Sequence, residues 1–82
     1  MAGLIPIPIA YGTNDIDEAS ATITYIGKES RAGGEWLIIK INESSSISFT
    51  YASQLINPTI TTYADAWTNR ATLTYASYDE AM

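Results

Sequence analysis

The sequence predicts an all-β protein: a small antiparallel sheet or sandwich of about four to five strands, preceded by an extended N-terminal arm. Residues 36–41 are apolar at nearly every position, which is typical of a strand buried on both faces. Residues 46–51 alternate Ser or Thr with Ile47, Phe49 and Tyr51, which is typical of a strand with one exposed face. These two segments predict an inner strand and its half-exposed neighbour.

Residues 35–51 therefore read as a hairpin around which the rest of the chain is arranged. Its connection, Asn42-Glu43-Ser44-Ser45, lacks the Asn-Gly or Asp-Gly pair that is typical of a two-residue turn. We expect a looser loop of about four or five residues.

The segments before this hairpin predict one more strand. Residues 21–28 are rich in β-branched side chains and form the first core strand, and Gly27 indicates a bulge or a bend near its end. The preceding residues 11–20 are polar and predict a connection without regular structure, and residues 29–34, with two glycines, predict a flexible turn.

The segments after the hairpin are patterned less clearly. Residues 59–63 predict a short strand, and residues 71–75 predict a final one because apolar residues alternate with Thr. Between them, Asp65 can cap a single helical turn that brings Trp67 and Arg70 together at i and i+3. Arg70 could then stack on Trp67 or reach back to Asp65.

The domain organisation follows from these segments. We expect an arm and polar linker over residues 1–18, a β domain over 19–77 and an acidic, mobile tail over 78–82. An 82-residue domain buries only roughly two-thirds of the surface of its unfolded chain. Because the chain has neither Cys nor His, it has no disulfide and no structural zinc site is expected, so oligomerisation is the remaining way to add burial.

The charge composition restricts the partners. The net charge of −5 disfavours nucleic acid and anionic membrane surfaces. Charged residues make up only 16% of the chain, so hydroxyl groups cover much of the surface. We therefore expect protein partners, including other copies of this chain, and no cofactor.

The N-terminal arm is apolar and extended. Each Pro fixes its own φ and favours an extended residue before it, so the alternate Ile residues project to one side. The segment is too short to span a bilayer and carries no signature of a targeting segment. We hypothesise that it docks on another subunit or a larger assembly; the alternative is a disordered or self-packed terminus. Its interface candidates are Leu4, Ile5, Pro6, Ile7, Pro8 and Ile9.

No catalytic signature is present. Without His or Cys, the base for a nucleophile would have to be Lys28 or Lys40, and neither is paired with a Ser in a recognisable motif. The candidate acid–base carboxylates lie in or beside predicted turns, where water keeps their chemistry ordinary: Glu29, Glu35, Glu43 and Asp65. We do not expect an enzyme.

Two other sets of residues have two interpretations each. The oxygen-rich set Asn14, Asp15, Asp17 and Glu18 could bind a hard cation, but it matches a calcium loop poorly, and a solvated acidic turn or helix N-cap is the alternative. The aromatic set is either a recognition platform for sugars or a protein, or the filling of the core. It comprises Trp36, Tyr51, Tyr63, Trp67 and Tyr75, and we add Tyr63, Trp67, Arg70 and Tyr75 to the interface candidates.

Four blocks of the sequence carry a family resemblance. They are Thr24-Tyr25-Ile26-Gly27-Lys28, Glu35-Trp36-Leu37-Ile38-Ile39-Lys40-Ile41, Phe49-Thr50-Tyr51-Ala52 and residues 64–75, which include Trp67-Thr68-Asn69-Arg70-Ala71. Together they resemble small virion proteins of tailed bacteriophages that contain "YIGKA", "WxIKKI" and "WxxRASLxY" blocks. The resemblance covers roughly residues 22–75; Glu29, the Leu37-Ile38-Ile39 run and the arm depart from the pattern.

The resemblance implies a virion structural protein, assembled in the host cytoplasm. We expect a decoration or cement protein on the capsid exterior, bound to the major capsid protein and to other copies of itself, for instance as a trimer, since a closed ring hides sheet edges. A tail or fibre component that binds host surface glycans is the alternative. A small enzyme is a further rival class, which would need turnover that depends on a carboxylate.

Overall fold

The structure, a computed structural model, describes residues 11–30 and 35–81, so the arm and its six interface candidates lie outside the described residues. Four antiparallel strands form one sheet in sequence order: β1 (Tyr11–Asp17), β2 (Ile23–Ser30), β3 (Trp36–Asn42) and β4 (Ser48–Ser53). The prediction of an all-β protein is confirmed, with two short helices added to the sheet.

The predicted hairpin is formed by β3 and β4. β3 lies between β2 and β4, which confirms the inner strand, but burial on both faces holds only for Trp36, Leu37 and Ile38, since Ile39 and Ile41 are half-buried. The predicted buried face of its neighbour is wrong: Ile47 and Phe49 are 64% and 52% exposed, because the side of β4 that carries Ala52 is the one that packs on the core.

The connection between β3 and β4 covers residues 43–47, in agreement with the expected loop length. It starts with a local turn in which the Ser44 N–H donates to the Asn42 side-chain oxygen, 2.9 Å away.

The strand register divides the sheet into two faces. Because alternate residues of a strand point to opposite sides, residues paired across the strands share a face. We call the inner face the side that carries Asp15, Asp17, Ile23, Tyr25, Gly27, Glu29, Trp36, Ile38, Lys40, Thr50 and Ala52. The outer face carries Thr13, Ile16, Thr24, Ile26, Lys28, Leu37, Ile39, Ile41, Phe49, Tyr51 and Ser53.

The chain after β4 crosses back over the inner face. It contains the helix α1 (Tyr63–Thr68) and closes a core built on Tyr25, Trp36, Ile38, Ala52 and Ala66. Trp36 is 1% exposed, and its indole N–H donates to the carbonyl of Ile60 at 2.9 Å, so the buried ring has its polar group satisfied. For Trp36 the interpretation as core filling is confirmed.

A buried amide fastens this crossing segment. The Asn57 side-chain NH₂ donates to the carbonyls of Ser53 and Thr74, at 3.0 and 3.1 Å, and its oxygen accepts the Thr74 N–H at 2.9 Å. Asn57 is 9% exposed. The turn predicted at Asn57-Pro58 therefore also ties the end of β4 to the far end of the crossing segment.

The expected polar connection over residues 11–20 is wrong, because residues 11–17 form the edge strand β1. The register shifts between Thr13 and Asp15, which leaves Asn14 as an extra residue in the ladder. This bulge puts Thr13 on the outer face and Asp15 on the inner face, so the alternation is broken in the sequence. The bulge expected at Gly27 of β2 therefore occurs in β1, next to Asp15, the residue that pairs with Gly27.

The two expected strands after the hairpin are also wrong. Residues 59–62 have no strand structure and α1 begins at Tyr63. Residues 71–75 form turns and irregular backbone, followed by an isolated bridge between Tyr51 and Ala76. The apolar residues of these segments face the core from above the sheet instead of extending it, because Leu73 and Tyr75 pack on the core cluster.

Two predictions for the helices need correction. The N-cap of α1 is Thr62, whose hydroxyl accepts the Asp65 N–H at 3.2 Å, and Asp65 lies in the first turn. The predicted mobile tail contains α2 (Tyr78–Ala81), in which Ala81 is 1% exposed.

The turn predicted over residues 29–34 also begins later than expected, because Glu29 and Ser30 belong to β2.

Candidate assembly site

The interface candidates of the C-terminal half come together on the inner face, beside β1. Tyr63 and Trp67, one turn apart on α1, stack with ring centroids 6.2 Å apart and an interplanar angle of 19°. The Arg70 guanidinium carbon lies 4.4 Å from the Trp67 ring centroid, which is within the distance of a cation–π contact. The proximity expected between Trp67 and Arg70 is confirmed.

Arg70 is anchored to the edge strand. Its Nη2 and Nε donate to one carboxylate oxygen of Asp17, at 2.8 and 3.2 Å, and its Nη1 donates to the Trp67 carbonyl at 2.6 Å. The expected alternative of stacking on Trp67 is therefore the one adopted, with Asp17 and not Asp65 as the acidic partner. The side chains of Arg70 and Asp17 are 27% and 33% exposed, so water screens part of their attraction.

Tyr63 and Tyr75 are held by hydrogen bonds from their hydroxyls. Tyr63 Oη donates to the Asp15 carboxylate at 2.8 Å; burial raises the pKa of its phenol well above the ordinary value, and the hydrogen bond to Asp15 raises it further. Tyr75 Oη donates to the Arg70 carbonyl at 2.7 Å, and its ring lies 6.3 Å from that of Tyr25. Burial is also the main cause that raises the pKa of Tyr75.

Gly27 forms the floor under this cluster. A Cβ built on Gly27 would collide with the Tyr63 hydroxyl and lie 2.8 Å from Cε3 of the Trp67 ring. The absence of a side chain therefore lets α1 pack directly on β2. Tyr63, Trp67, Arg70 and Tyr75 make these contacts within the chain, and all four are half-buried.

The acidic residues considered for a cation are used differently. Asp15 accepts from Tyr63 and Asp17 from Arg70, while Asn14 donates to the Glu29 carboxylate at 3.1 Å. Across residues 11–30 and 35–81, no group of three or more Asp or Glu is placed to hold a metal ion.

The other candidate acids and bases lie apart from one another. Glu35, Glu43 and Asp65 are exposed. Lys28 donates to the Thr13 hydroxyl at 2.8 Å on the outer face. Lys40 lies over the Tyr75 ring, 5.4 Å from its centroid, on the inner face. The structure brings neither lysine into contact with a serine among the hydrogen bonds of the described chain.

The outer face carries an aliphatic row that runs across the whole sheet. Ile16, Ile26, Ile39 and Tyr51 lie opposite one another on the four strands, and Ile41 and Phe49 lie opposite one another in the next row. Ile16 is 65% exposed and Phe49 is 52% exposed, whereas Ile26, Ile39 and Ile41 are half-buried. Exposed aliphatic side chains in a contiguous group are typical of an interaction surface.

The helix α2 packs on one end of this outer face. Tyr78 meets Tyr51 edge to face, with ring centroids 5.3 Å apart, and the Ser53 hydroxyl donates to the carbonyl of Ala81. Both contacts are at β4, three strands away from Ile16. In the part of the chain that the structure describes, no other element packs on the Ile16 end of the row.

The two sheet edges also differ. The outer edge of β4 is occupied at its middle, where Tyr51 and Ala76 exchange two backbone hydrogen bonds of 2.8 and 2.9 Å. β1 pairs with β2 on one side, and among residues 11–30 and 35–81 no strand pairs with its other side. An unpaired edge next to an exposed isoleucine is a site where another strand can add.

Sequence reasoning identified Trp67 and Arg70 but missed their partners. Tyr25, Gly27 and the two aspartates of β1 complete the cluster, and the signal was weak because acidic residues beside an Asn favour a turn in the sequence. A bulged edge strand that uses acidic residues as hydrogen-bond acceptors is visible only once the register is known.

Comparison of the chain with known proteins found no match. No family model matches the chain, and no curated protein and no solved structure matches it. No helix in the described residues is long and apolar enough to cross a membrane.

Proposed function

We propose that this protein is a structural subunit of a bacteriophage virion, acting as a decoration or cement protein that stabilises the head through subunit contacts. The observation that carries the proposal is the outer face, where the aliphatic row ends in Ile16, 65% exposed, at an edge with which no other strand of residues 11–30 and 35–81 pairs. Covering this row with another protein surface would be favourable, because each Å² of apolar area removed from water contributes about 25 cal/mol.

The small core supports the same function. Trp36 and Ile38 are the largest fully buried side chains of the described residues, and α2, at the β4 end, is the helix that packs on the outer face in this part of the chain. Domains are normally built from packed layers that bury every apolar face. A subunit that gains its missing layer from neighbours suits a role in which binding is the function.

The resemblance to virion proteins gives the proposal its class. Three of the four blocks contribute residues to one cluster on the inner face: Tyr25 and Gly27 from the first block, Trp36 from the second, and Trp67 and Arg70 from the last. These contacts are made within the chain and leave the outer face available for partners. The proposed partners are the major capsid protein and further copies of this chain.

The test is the location of the protein in intact particles. Mass spectrometry of purified particles should detect this chain at high copy number, and labelled antibody should mark the head surface. Removal of the protein should lower the temperature at which heads release DNA, which can be followed with a DNA-binding dye. Particles that lack the chain, or label confined to the tail, would contradict the decoration role.

A second candidate is a tail or fibre component that binds host surface glycans. Phe49 and Tyr78, 52% and 55% exposed on the outer face side, favour it because sugar rings stack on exposed aromatic rings. Trp67 offers less free ring surface, since Tyr63 and Arg70 pack against it. Binding to host glycans that is lost in Phe49→Ala or Trp67→Ala would support this candidate over the first.

A further inference from the structure

We propose that the N-terminal arm of one copy adds as a fifth strand to the open edge of β1 in a second copy. This inference rests on the proposed function, which it deepens by naming the partner segment and its site. The observations that carry it are the edge of β1, which no other described strand occupies, the exposed end of the aliphatic row, and the length of chain that precedes Tyr11.

The edge of β1 is suited to accept a strand. β1 has seven residues with no Pro and no Lys, two residues that commonly block edges. The bulge at Asn14 interrupts the edge, so the segment open to regular pairing is residues 15–17, with Ile16 at its centre. Its two aspartates do not face the incoming strand, because Asp15 and Asp17 point to the inner face and are bound by Tyr63 and Arg70. The edge therefore offers backbone groups without an opposing charge.

The arm has the pattern that this edge requires. In an extended strand, alternate residues send their N–H groups to the same side, so the N–H groups of Ile5, Ile7 and Ile9 would share one side, while Pro6 and Pro8 have no N–H to offer to the other. An added strand can thus pair with β1 on one side and end the sheet on the other. Its isoleucines would continue the row Ile16–Ile26–Ile39 on the outer face.

A second copy can supply a longer strand to this edge than the arm of the same chain can. Ala10 alone separates Ile9 from Tyr11, and an antiparallel turn takes about two residues, so a hairpin with the chain's own β1 would use Ile9 and Ala10 in the turn. A parallel crossover takes about a dozen residues, far more than this one-residue connection. Pairing with a second copy leaves Ile5, Ile7 and Ile9 all available to the edge, and that copy carries both the arm and the edge.

The first measurement compares self-association of purified chains by analytical ultracentrifugation. We expect the full chain to associate and a chain lacking residues 2–9 to be monomeric. Ile16→Glu should weaken association by roughly tenfold or more, because a carboxylate would lie in the apolar contact. Leu55→Glu is the matched control: Leu55 is 64% exposed in the turn after β4, outside the strands, and its substitution should leave association unchanged.

The decisive measurement mixes two variants that are each incomplete. The chain lacking residues 2–9 keeps an intact edge, and the Ile16→Glu chain keeps an intact arm. Mixed together, they should form a 1:1 complex at a concentration at which each variant alone is monomeric. In that complex, hydrogen exchange of the β1 amides on the outer edge should be slowed in the chain that lacks the arm.

Three results would overturn the proposal. They are a monomeric full chain, unchanged association after deletion of residues 2–9, and failure of the two variants to complement each other. If Ile16→Glu does not fold, as judged by circular dichroism, the triple variant Ile5→Thr, Ile7→Thr, Ile9→Thr leaves the described residues intact and should still abolish association. Complementation without the protein in virions would reject the proposed function alone, and virion location without complementation would reject this inference alone.

Discussion

The two faces of the sheet are built from the same strands, but the inner face is buried whereas much of the outer face is exposed to solvent. Ile38 and Ile39 are adjacent in β3, yet Ile38 is fully buried under α1 and the crossing segment while Ile39 is half-buried in the open row. The inner face is closed by the chain's own aromatic residues, and the outer face is covered by α2 at one end. Apolar composition therefore does not distinguish a core from an interaction surface; the cover does.

The sharpest way to break this comparison is to truncate the two isoleucines separately. Ile38→Ala should lower the free energy of unfolding by about 2–5 kcal/mol, because it leaves a cavity in a packed core. Ile39→Ala should cost about 1 kcal/mol in dilute solution, since half of that side chain already meets water. Urea unfolding of both variants measures the difference.

The same pair sharpens the comparison when the protein concentration is changed. If the outer face is completed by other copies, the cost of Ile39→Ala should grow with concentration, whereas that of Ile38→Ala should stay constant. Equal costs for the two variants, at low and high concentration, would show that the outer face is not completed by other copies.

A second test uses the two glycines of the described strands. Gly27→Ala should destabilise by about 1–3 kcal/mol, because its Cβ must displace Tyr63 and the Trp67 ring. Gly12→Ala is the matched control, since a Cβ there meets nothing within 4 Å. Thermal unfolding should separate the two variants clearly. A Gly27→Ala protein as stable as Gly12→Ala would mean that α1 does not pack closely on β2.

A third test measures the link between Arg70 and Asp17. A double-mutant cycle with Arg70→Gln and Asp17→Asn should give a coupling energy of about 0.5–1.5 kcal/mol, since the pair is charge-assisted but partly exposed. The coupling should decrease at high salt. Repeating the cycle with Asp65→Asn in place of Asp17→Asn gives the control, for which no coupling to Arg70 is expected.

The smallest expected effect is a dependence of stability on alkaline pH. Burial raises the pKa values of Tyr63 and Tyr75 in the folded chain, so the folded state keeps these protons more firmly than the unfolded state. Their contribution is complete below the ordinary tyrosine pKa of about 10 and is lost as pH rises above it. Urea unfolding between pH 8 and pH 11 should show this decline, and Tyr63→Phe should reduce it. If stability falls with pH as steeply in Tyr63→Phe and in Tyr75→Phe as in the unsubstituted protein, these two phenols are not the cause of the decline.

Part of the candidate site was predictable from short-range pattern. Trp67 and Arg70 are three residues apart, so a single helical turn suffices to bring them together. The partner across the sheet, Asp17, is 53 residues away from Arg70 and belongs to a segment that reads as a turn. Contacts of that separation depend on the register of β1, which a bulge at Asn14 changes.

The sequence by itself determined the β3–β4 hairpin, its looser loop and the inner position of β3, because strand periodicity and turn residues act over a few neighbours. Only the tertiary structure decided that residues 11–17 join the sheet, that the chain after β4 covers one face and that Ile16 is left exposed at the end of the other. Those outcomes depend on which distant segments compete for the same apolar surface, and local periodicity carries no information about that competition.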